Sequence, residues 1–215
     1  MTMTGRVLLI GATGPTGREV LSAAQRVGIS MRALVRDPTR LVELQRCGAE
    51  VVRGDVIDAA SLRTALKGVS AVVSALGTPL QLKRVTLLSE GTKNLLDAMT
   101  DTGVQRLLCI TGMGAGDSRG HGGFFYDRIL LPALLSRIYA DKDRQEALVR
   151  GSTLDWLLVR PAFLTDEPAR GRYRAITRFA PGERLTRIAR ADVAQFLVGE
   201  LRAPSLHRAT VNLSD

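Results

Sequence analysis

Residues Gly11 to Gly17 read GATGPTG and follow directly on the apolar run Val7-Leu8-Leu9-Ile10. A buried strand that ends in spaced glycines and then opens a helix is built to hold a phosphate. The first N–H groups of a helix have no partner within it, and its dipole favours negative charge at that end. In this pattern Gly11 allows a tight turn, Gly14 lets the backbone approach a pyrophosphate, and Gly17 lets the helix pack closely on the strand. Thr13, Pro15 and Thr16 complete the turn as expected cofactor-binding residues. The spacing is G-x-x-G-x-x-G, where the commonest dinucleotide fingerprint is G-x-G-x-x-G. The competing reading is a turn that is glycine-rich for packing alone.

Outward from this turn the chain alternates short apolar runs with helix-like segments. Strands are expected at 7–10, 30–35, 50–53, 71–76, 106–110 and 154–160, with a last one at 209–213. Helices are expected at 16–27, 41–47, 59–67, 82–102, 125–150 (interrupted by Pro132) and 191–201. Four of them stop at a glycine, at Gly28, Gly48, Gly68 and Gly103, the usual stop signal. This alternation predicts an α/β fold, a doubly wound parallel sheet of the Rossmann type with its ligand crevice at the carboxyl ends of the strands. The chain reads as a single domain over 1–215, with 162–190 as a small substrate-side lobe. The glycine-rich stretch 112–123 reads as a mobile loop over the crevice.

The composition is that of a soluble globular protein: 215 residues, 45% hydrophobic and 24% charged. No apolar stretch is long enough to cross a bilayer and no signal peptide is evident, so a cytoplasmic protein with no membrane partner is expected. Cys47 and Cys109 do not make a disulfide framework and read as reduced thiols. The net charge of +9 raises the question of nucleic acid, but the basic residues are dispersed, aromatics are only 4%, and no binding motif appears, so no nucleic-acid partner is expected. No metal site is expected either. One basic cluster stands out: Arg170, Arg172, Arg174, Arg178, Arg184, Arg187 and Arg190, with only Glu183 among them. It suits attraction of an anionic acceptor, and a solvated face accounts for it equally well.

In a doubly wound sheet the residues just after each strand meet the ligand. After the second strand, where an acidic residue would bind ribose hydroxyls, stands Arg36, with Arg40 one turn on. Two guanidinium groups there suit a 2′-phosphate through charge-assisted hydrogen bonds, which predicts NADP(H), with NADPH preferred over NADH. The alternative is surface pairing with Asp37 or Glu43. After the third strand, Asp55 is placed to accept from the adenine amino group and Val56 to lie against the ring, while Asp58 is the better helix cap. After the fourth, Leu76, Gly77 and Thr78 let the backbone pass close to the cofactor, a plain turn being the competing reading. After the fifth comes Thr111, a hydroxyl near the expected nicotinamide. After the sixth come Pro161, Ala162 and Phe163, with core packing as the alternative for Phe163.

Together the segments GATGPTG, LVRDPTRL, GDVIDAASL, LGTP, LSEGTKNLLDAM and TLDWLLVRPAFLTDEP, in this order between residues 7 and 168, resemble the atypical short-chain dehydrogenase/reductases. This is the NAD(P)-binding or NmrA-like group, and within it the resemblance is to the flavin and biliverdin reductase branch. It implies an NADP-binding Rossmann domain, monomeric or weakly homodimeric, that transfers hydride to a small planar acceptor such as a flavin, tetrapyrrole or quinone. It implies pyrophosphate contacts from Thr13, Gly14 and Thr16, a 2′-phosphate site at Arg36 and Arg40, and an adenine site at Asp55 and Val56. It places Leu76 and Gly77 by the central ribose, and Pro161, Ala162 and Phe163 beside the nicotinamide and substrate.

The chain departs from the family's usual catalytic set, a serine plus Y-x-x-x-K. Tyr139 and Lys142 are spaced Y-x-x-K, about 100° out on a helix. Lys142 does match a lysine position of the atypical members. Gly112 stands where relatives carry serine, leaving Thr111. Alcohol oxidation needs a positioned acid or base. Flavin reduction mainly needs stacked rings, and solvent can supply the proton. The rival reading is a non-catalytic NADP(H)-binding redox sensor of the NmrA-like type. A sugar-nucleotide or isomerase type is a third, for which the chain is short.

Overall fold

The computed structural model describes residues 5–37, 39, 44–45, 48–78 and 85–215. Along the chain come β1 (Arg6–Ile10), α1 (Pro15–Arg26), β2 (Met31–Val35), β3 (Glu50–Arg53), α2 (Ala59–Leu66), β4 (Val69–Ser74), α3 (Leu87–Thr102) and β5 (Arg106–Ile110). There follow a wide helical segment of π type (Tyr126–Leu135), α4 (Ser136–Gly151), β6 (Asp155–Pro161), β7 (Phe163–Thr165), β8 (Arg174–Ile176), β9 (Arg187–Ala189), α5 (Arg190–Arg202) and β10 (Ala209–Ser214). The expected helix at 41–47 lies mostly outside the described residues, as do Arg40 and Cys47. The helix expected from 82 begins at Leu87.

Eight strands form one sheet in the order β3-β2-β1-β4-β5-β6-β10-β8. Every pairing is parallel except that of β10 with β8. The order reverses between β1 and β4, so the crevice expected of a doubly wound sheet opens above the carboxyl ends of these strands. Alternate residues of the strands feed two cores, as the period of two in a strand requires. Val7 and Leu9 of β1 pack with Val20, Leu21 and Ala24 of α1 and Val193 and Leu197 of α5. Leu8 and Ile10 pack on the other face with Leu62 of α2, Leu95 and Met99 of α3 and Val149 of α4. Both faces are covered, so the central strands are mostly apolar, with buried Arg106 of β5 and Arg160 of β6 as exceptions.

In the second half, the expected 162–190 lobe carries three short strands: β8 pairs with β10 of the main sheet, while β7 and β9 form a separate parallel pair. One reading is corrected. The 112–123 stretch, read as a mobile loop, is tied down. Met113 N donates to Pro161 O at 2.9 Å, Gly114 N to Ser118 Oγ at 2.9 Å and Gly116 N to Asp143 Oδ1 at 3.0 Å. His121 stacks on Phe179 with ring centroids 3.7 Å apart. The glycines there serve close packing: a Cβ on Gly116 would collide with the Arg160 guanidinium.

Candidate cofactor cleft and the buried cluster beside it

A cleft of about 630 Å³ lies over the carboxyl ends of β1 to β4, within the size range of ligand sites of about 300–1,000 Å³. Gly11, Thr13, Gly14, Pro15, Thr16 and Gly17 line its floor. Gly11 has φ +80, and a Cβ there would run into the Ala75 carbonyl. A Cβ on Gly17 would collide with the Gly11 carbonyl oxygen and sit 2.8 Å from Ala12 Cα. These two glycines let strand, turn and helix close on one another. Gly14 differs: its Cβ would meet only Gly11 O, at 3.4 Å, and otherwise open space. No side chain caps α1, no acidic residue stands in its first turn, and Pro15 is its first residue. The uncapped N-terminus therefore presents donors and positive potential to the cleft, the features that fit a pyrophosphate.

The walls follow from the strand ends. Arg36, just after β2, is exposed, lines the cleft and has no hydrogen-bond or ion-pair partner among the described residues. Arg36 does not pair with Asp37, whose Oδ1 accepts from Thr39 N at 2.9 Å. Asp55 accepts from Ile57 N at 3.2 Å and leaves the cap of α2 to Asp58, which takes Ala60 N at 3.0 Å. Val56, Leu76, Gly77 and Thr78 line the cleft too. Gly91 of α3 lets that helix approach this wall, since a Cβ there would lie 2.7 Å from Val56 Cγ2.

Beside the cleft, below β5, is a second polar constellation. Thr111 is buried, and its hydroxyl donates to Glu146 Oε1 at 2.7 Å. Glu146 also receives both ends of the Arg160 guanidinium, at 2.9 and 2.7 Å, and Arg150 at 2.9 Å. Burial alone would raise the Glu146 carboxyl, but the hydrogen bonds and charge of Arg160 hold it below its ordinary value. Arg160 reaches on to Asp117, which fastens the 112–123 stretch. Lys142 Nζ donates to the Thr111 carbonyl. Its removal from water lowers the ammonium from 10.5 to about 8, with the charge of Glu146 opposing.

Tyr139 and Lys142, three residues apart, lie on one side of α4. Both meet Gly112: a Cβ there would lie 2.9 Å from Lys142 Nζ and 3.1 Å from the Tyr139 hydroxyl. The Y-x-x-K spacing, although not the family's Y-x-x-x-K, thus sets both side chains beside Gly112. The hydroxyls of Tyr126 and Tyr139 are 2.9 Å apart, and Tyr126 also reaches Met113 O at 2.7 Å. A carbonyl only accepts, so Tyr126 donates to Met113 and Tyr139 donates to Tyr126. Burial pushes the Tyr139 hydroxyl up, away from ionisation.

Residues 11–204 match the NAD(P)H-binding family. The chain belongs to that family. It bears out the resemblance to atypical short-chain dehydrogenase/reductases and the Rossmann architecture. A relative in Bacillus subtilis (strain 168), the uncharacterized sugar epimerase YhfK, is 25% identical over 215 residues, covering 98% of this chain and 94% of its own length. The NAD(P)H azoreductase of Xenophilus azovorans is 29% identical over 157 residues, which are 73% of this chain and 48% of the azoreductase. Among solved structures, ChuY, an anaerobillin reductase from Escherichia coli O157:H7, superposes with a TM-score of 0.82 at 23% identity, covering 97% of this chain and 96% of that one. The last likeness is one of fold.

As a member of this NAD(P)H-binding family, the chain divides its expected site residues in two. The glycine turn, Arg36, Asp55, Val56 and Leu76 to Thr78 all line the cleft, while Arg40 lies outside the described residues. Thr111, Lys142, Pro161, Ala162 and Phe163 do not line it. Pro161 and Ala162 are buried with their backbone engaged by Met113 and Leu213, and Phe163 is 59% exposed, which overturns core packing for it. Sequence reasoning missed Leu164 and Arg190, which line the cleft. It also missed Asp141 of α4, whose buried carboxylate takes Leu88 N at 2.9 Å and so caps α3 from another helix. The basic cluster is opposed by more than Glu183: Asp166, Glu167 and Asp215 pair with Arg190, Arg170 and Arg187.

Proposed function

We propose that the protein is an NADPH-dependent reductase of a planar acceptor such as a flavin, tetrapyrrole or quinone. The observation that carries the cofactor choice is Arg36. It stands at the cleft where an acidic residue would favour NADH, and it has no partner among the described residues. A free guanidinium there is matched to a 2′-phosphate. Bound in this cleft, NADPH supplies a hydride to the acceptor. The glycine turn and the N-terminus of α1 hold the diphosphate, and Val56 and Leu76 pack against the adenosine half. Asp55 accepts from the adenine amino group.

A sequence relative named as a reductase, the NAD(P)H azoreductase, supports the reaction class. The Thr111 and Tyr139 hydroxyls are both engaged inside the protein, so neither is poised for alcohol chemistry; this favours an acceptor that needs ring stacking. Lys142, with its lowered ammonium, is the group placed to hold a proton near Thr111. We place the activity in the cytoplasm, where a free thiol such as buried Cys109 stays reduced.

The same engagement of hydroxyls favours one second reading, a non-catalytic NADP(H) sensor. Steady-state oxidation of NADPH with FMN, riboflavin, biliverdin, an azo dye and simple quinones separates the two. Turnover with a member of the panel is the expected result; tight binding of NADPH with no turnover on any of them supports the sensor. Arg36→Ala weakens NADPH about tenfold and leaves NADH unchanged. Equal losses for both overturn the 2′-phosphate assignment.

A further inference from the structure

Among the described residues the cleft has a second cation, which the GATGPTG turn does not announce. Arg190 is the first residue of α5, and it lines the same cleft as Thr13, Gly14 and Thr16. Its side chain is 21% exposed and its NH1 lies 2.6 Å from Asp166 Oδ1. The β7–β9 pair puts it there: Thr165 lies opposite Ala189, so the next residue on each strand, Asp166 and Arg190, emerge side by side. Leu164 of β7 reaches the cleft with it.

Two features show that Arg190 is not there for the helix or for its ion pair. A cation in the first turn opposes the helix dipole, a local penalty of a few tenths to about 1 kcal/mol. Asp166 is 84% exposed, and an ion pair with so exposed a partner contributes little and exchanges readily. What gains from the position is the cleft. Among its described lining residues the charged side chains are Arg36, Asp55 and Arg190. Arg36 follows β2, on one side of β1 in the sheet; Arg190 follows β9, whose partner β7 continues from β6, on the other side. Helix α5 packs against α1, which brings Arg190 to the region of the phosphate turn.

We infer that Arg190 is a second phosphate-binding arginine, which closes on the dinucleotide's pyrophosphate against the GATGPTG turn, and that Asp166 competes with the pyrophosphate for it. The inference rests on the cofactor lying in this cleft. It assigns the two arginines different phosphates: Arg36 reads the one that distinguishes NADP from NAD, and Arg190 reads the pair that both share. A guanidinium is suited to this because it donates to two phosphate oxygens at once.

The test is calorimetric titration of the full chain with three probes, NADPH, NADH and adenosine 2′-monophosphate, which carries the 2′-phosphate and no pyrophosphate. Arg190→Ala is expected to weaken NADPH and NADH alike, by about tenfold, and to leave adenosine 2′-monophosphate unchanged. Unchanged binding of that probe also shows that the variant's cleft is folded. Arg190→Lys keeps the charge and recovers part of the loss. Asp166→Asn frees Arg190 and tightens both dinucleotides by about two- to fivefold. If wild type binds NADPH but Arg190→Ala binds both dinucleotides as well as wild type does, this assignment falls and the cofactor reading stands. An equal loss for all three probes overturns it too, since the substitution then acts on the cleft as a whole. If wild type binds no dinucleotide, both fall together.

Discussion

The two polar regions of this molecule treat their hydrogen-bonding groups in opposite ways. At the phosphate turn, α1 has no side-chain cap, Gly14 faces open space, and Arg36 has no partner among the described residues. Below β5, nearly every polar group is matched inside the protein: Thr111 to Glu146, Glu146 to Arg160 and Arg150, Arg160 to Asp117, Tyr139 to Tyr126. The first region is arranged for something that is not protein. The second holds itself together and fixes the geometry of β5, α4 and the 112–123 stretch around the cleft.

That contrast is broken most severely at Glu146. Glu146 and Arg160 are both fully buried and joined by two hydrogen bonds. Removing the carboxylate leaves the buried guanidinium with only the exposed Asp117 as an ionic partner, which destabilises by about 3–5 kcal/mol. Glu146→Ala is therefore expected to show a large drop in the urea midpoint, and Glu146→Gln, which still accepts from Arg160, a smaller one. A Glu146→Ala protein as stable as wild type would mean that this region is as open to water as the phosphate turn.

The next effect in size tests the other region. In Gly17→Ala the new methyl meets Gly11 O and Ala12 Cα, both backbone, so neither can step aside. Overpacking of this kind destabilises by about 1–3 kcal/mol. Here it also distorts the turn, so dinucleotide affinity is expected to fall along with the thermal midpoint. Gly14→Ala, whose methyl meets open space, is expected to lose affinity with little change in stability. Calorimetry and thermal melts on the pair read the two quantities separately. Equal stability losses would refute the distinction between a packing glycine and a ligand-facing one.

How far each region was legible in the sequence follows from the same physics. Gly11 and Gly17 are legible because no other residue fits their backbone contacts, and Arg36 because the end of a second strand is a fixed place in a doubly wound sheet. Glu146 was not legible. It sits in KDRQEALVR, residues 142–150, a charge-rich helix stretch that reads as solvated, and only the distant Arg160 on β6 makes it a buried pair. Arg190 was hidden because β7 and β9 are three residues each and pair across more than twenty residues of chain. Tyr139 and Lys142 depart from the family's Y-x-x-x-K spacing, yet residues three apart on a helix still share a face, and both reach Gly112. The 112–123 stretch reads as mobile because glycine and polar residues also mark loops; the anchors on Asp143 and Pro161 come from distant elements.

A pH dependence sharpens the comparison at Lys142. Its ammonium loses its proton at about 8 in the folded protein, against 10.5 when unfolded. From about pH 8 upward the unfolded chain holds a proton that the folded one has released, so stability rises with pH there. Above about pH 9 a second group offsets this. Cys109, pushed up to about 12 by burial, keeps a proton that an unfolded thiol has lost at 9.0. Urea midpoints between pH 7 and 9 are expected to climb in wild type and to stay flat in Lys142→Met. If Lys142 also delivers the proton to the acceptor, kcat falls above about pH 8 in wild type while that fall is missing from the variant. A climb that survives in Lys142→Met would assign it to another group.

The smallest effect on stability is expected at Phe163, which belongs to neither region. It was a candidate for the nicotinamide side and, equally, for the core; at 59% exposure it is not core. It stands next to Leu164, which lines the cleft, and its N–H donates to Thr186 O at 3.4 Å, a backbone contact that truncation of the side chain leaves in place. Phe163→Ala is therefore expected to change stability by no more than about 0.5 kcal/mol. An exposed aromatic beside a cofactor cleft offers a face for a planar acceptor to stack on. The substitution should then raise KM for the acceptor while the NADPH affinity stays where it was. A loss of stability of core size would place the ring in the packing after all. An unchanged KM for every acceptor that turns over would move the acceptor's platform elsewhere on the rim.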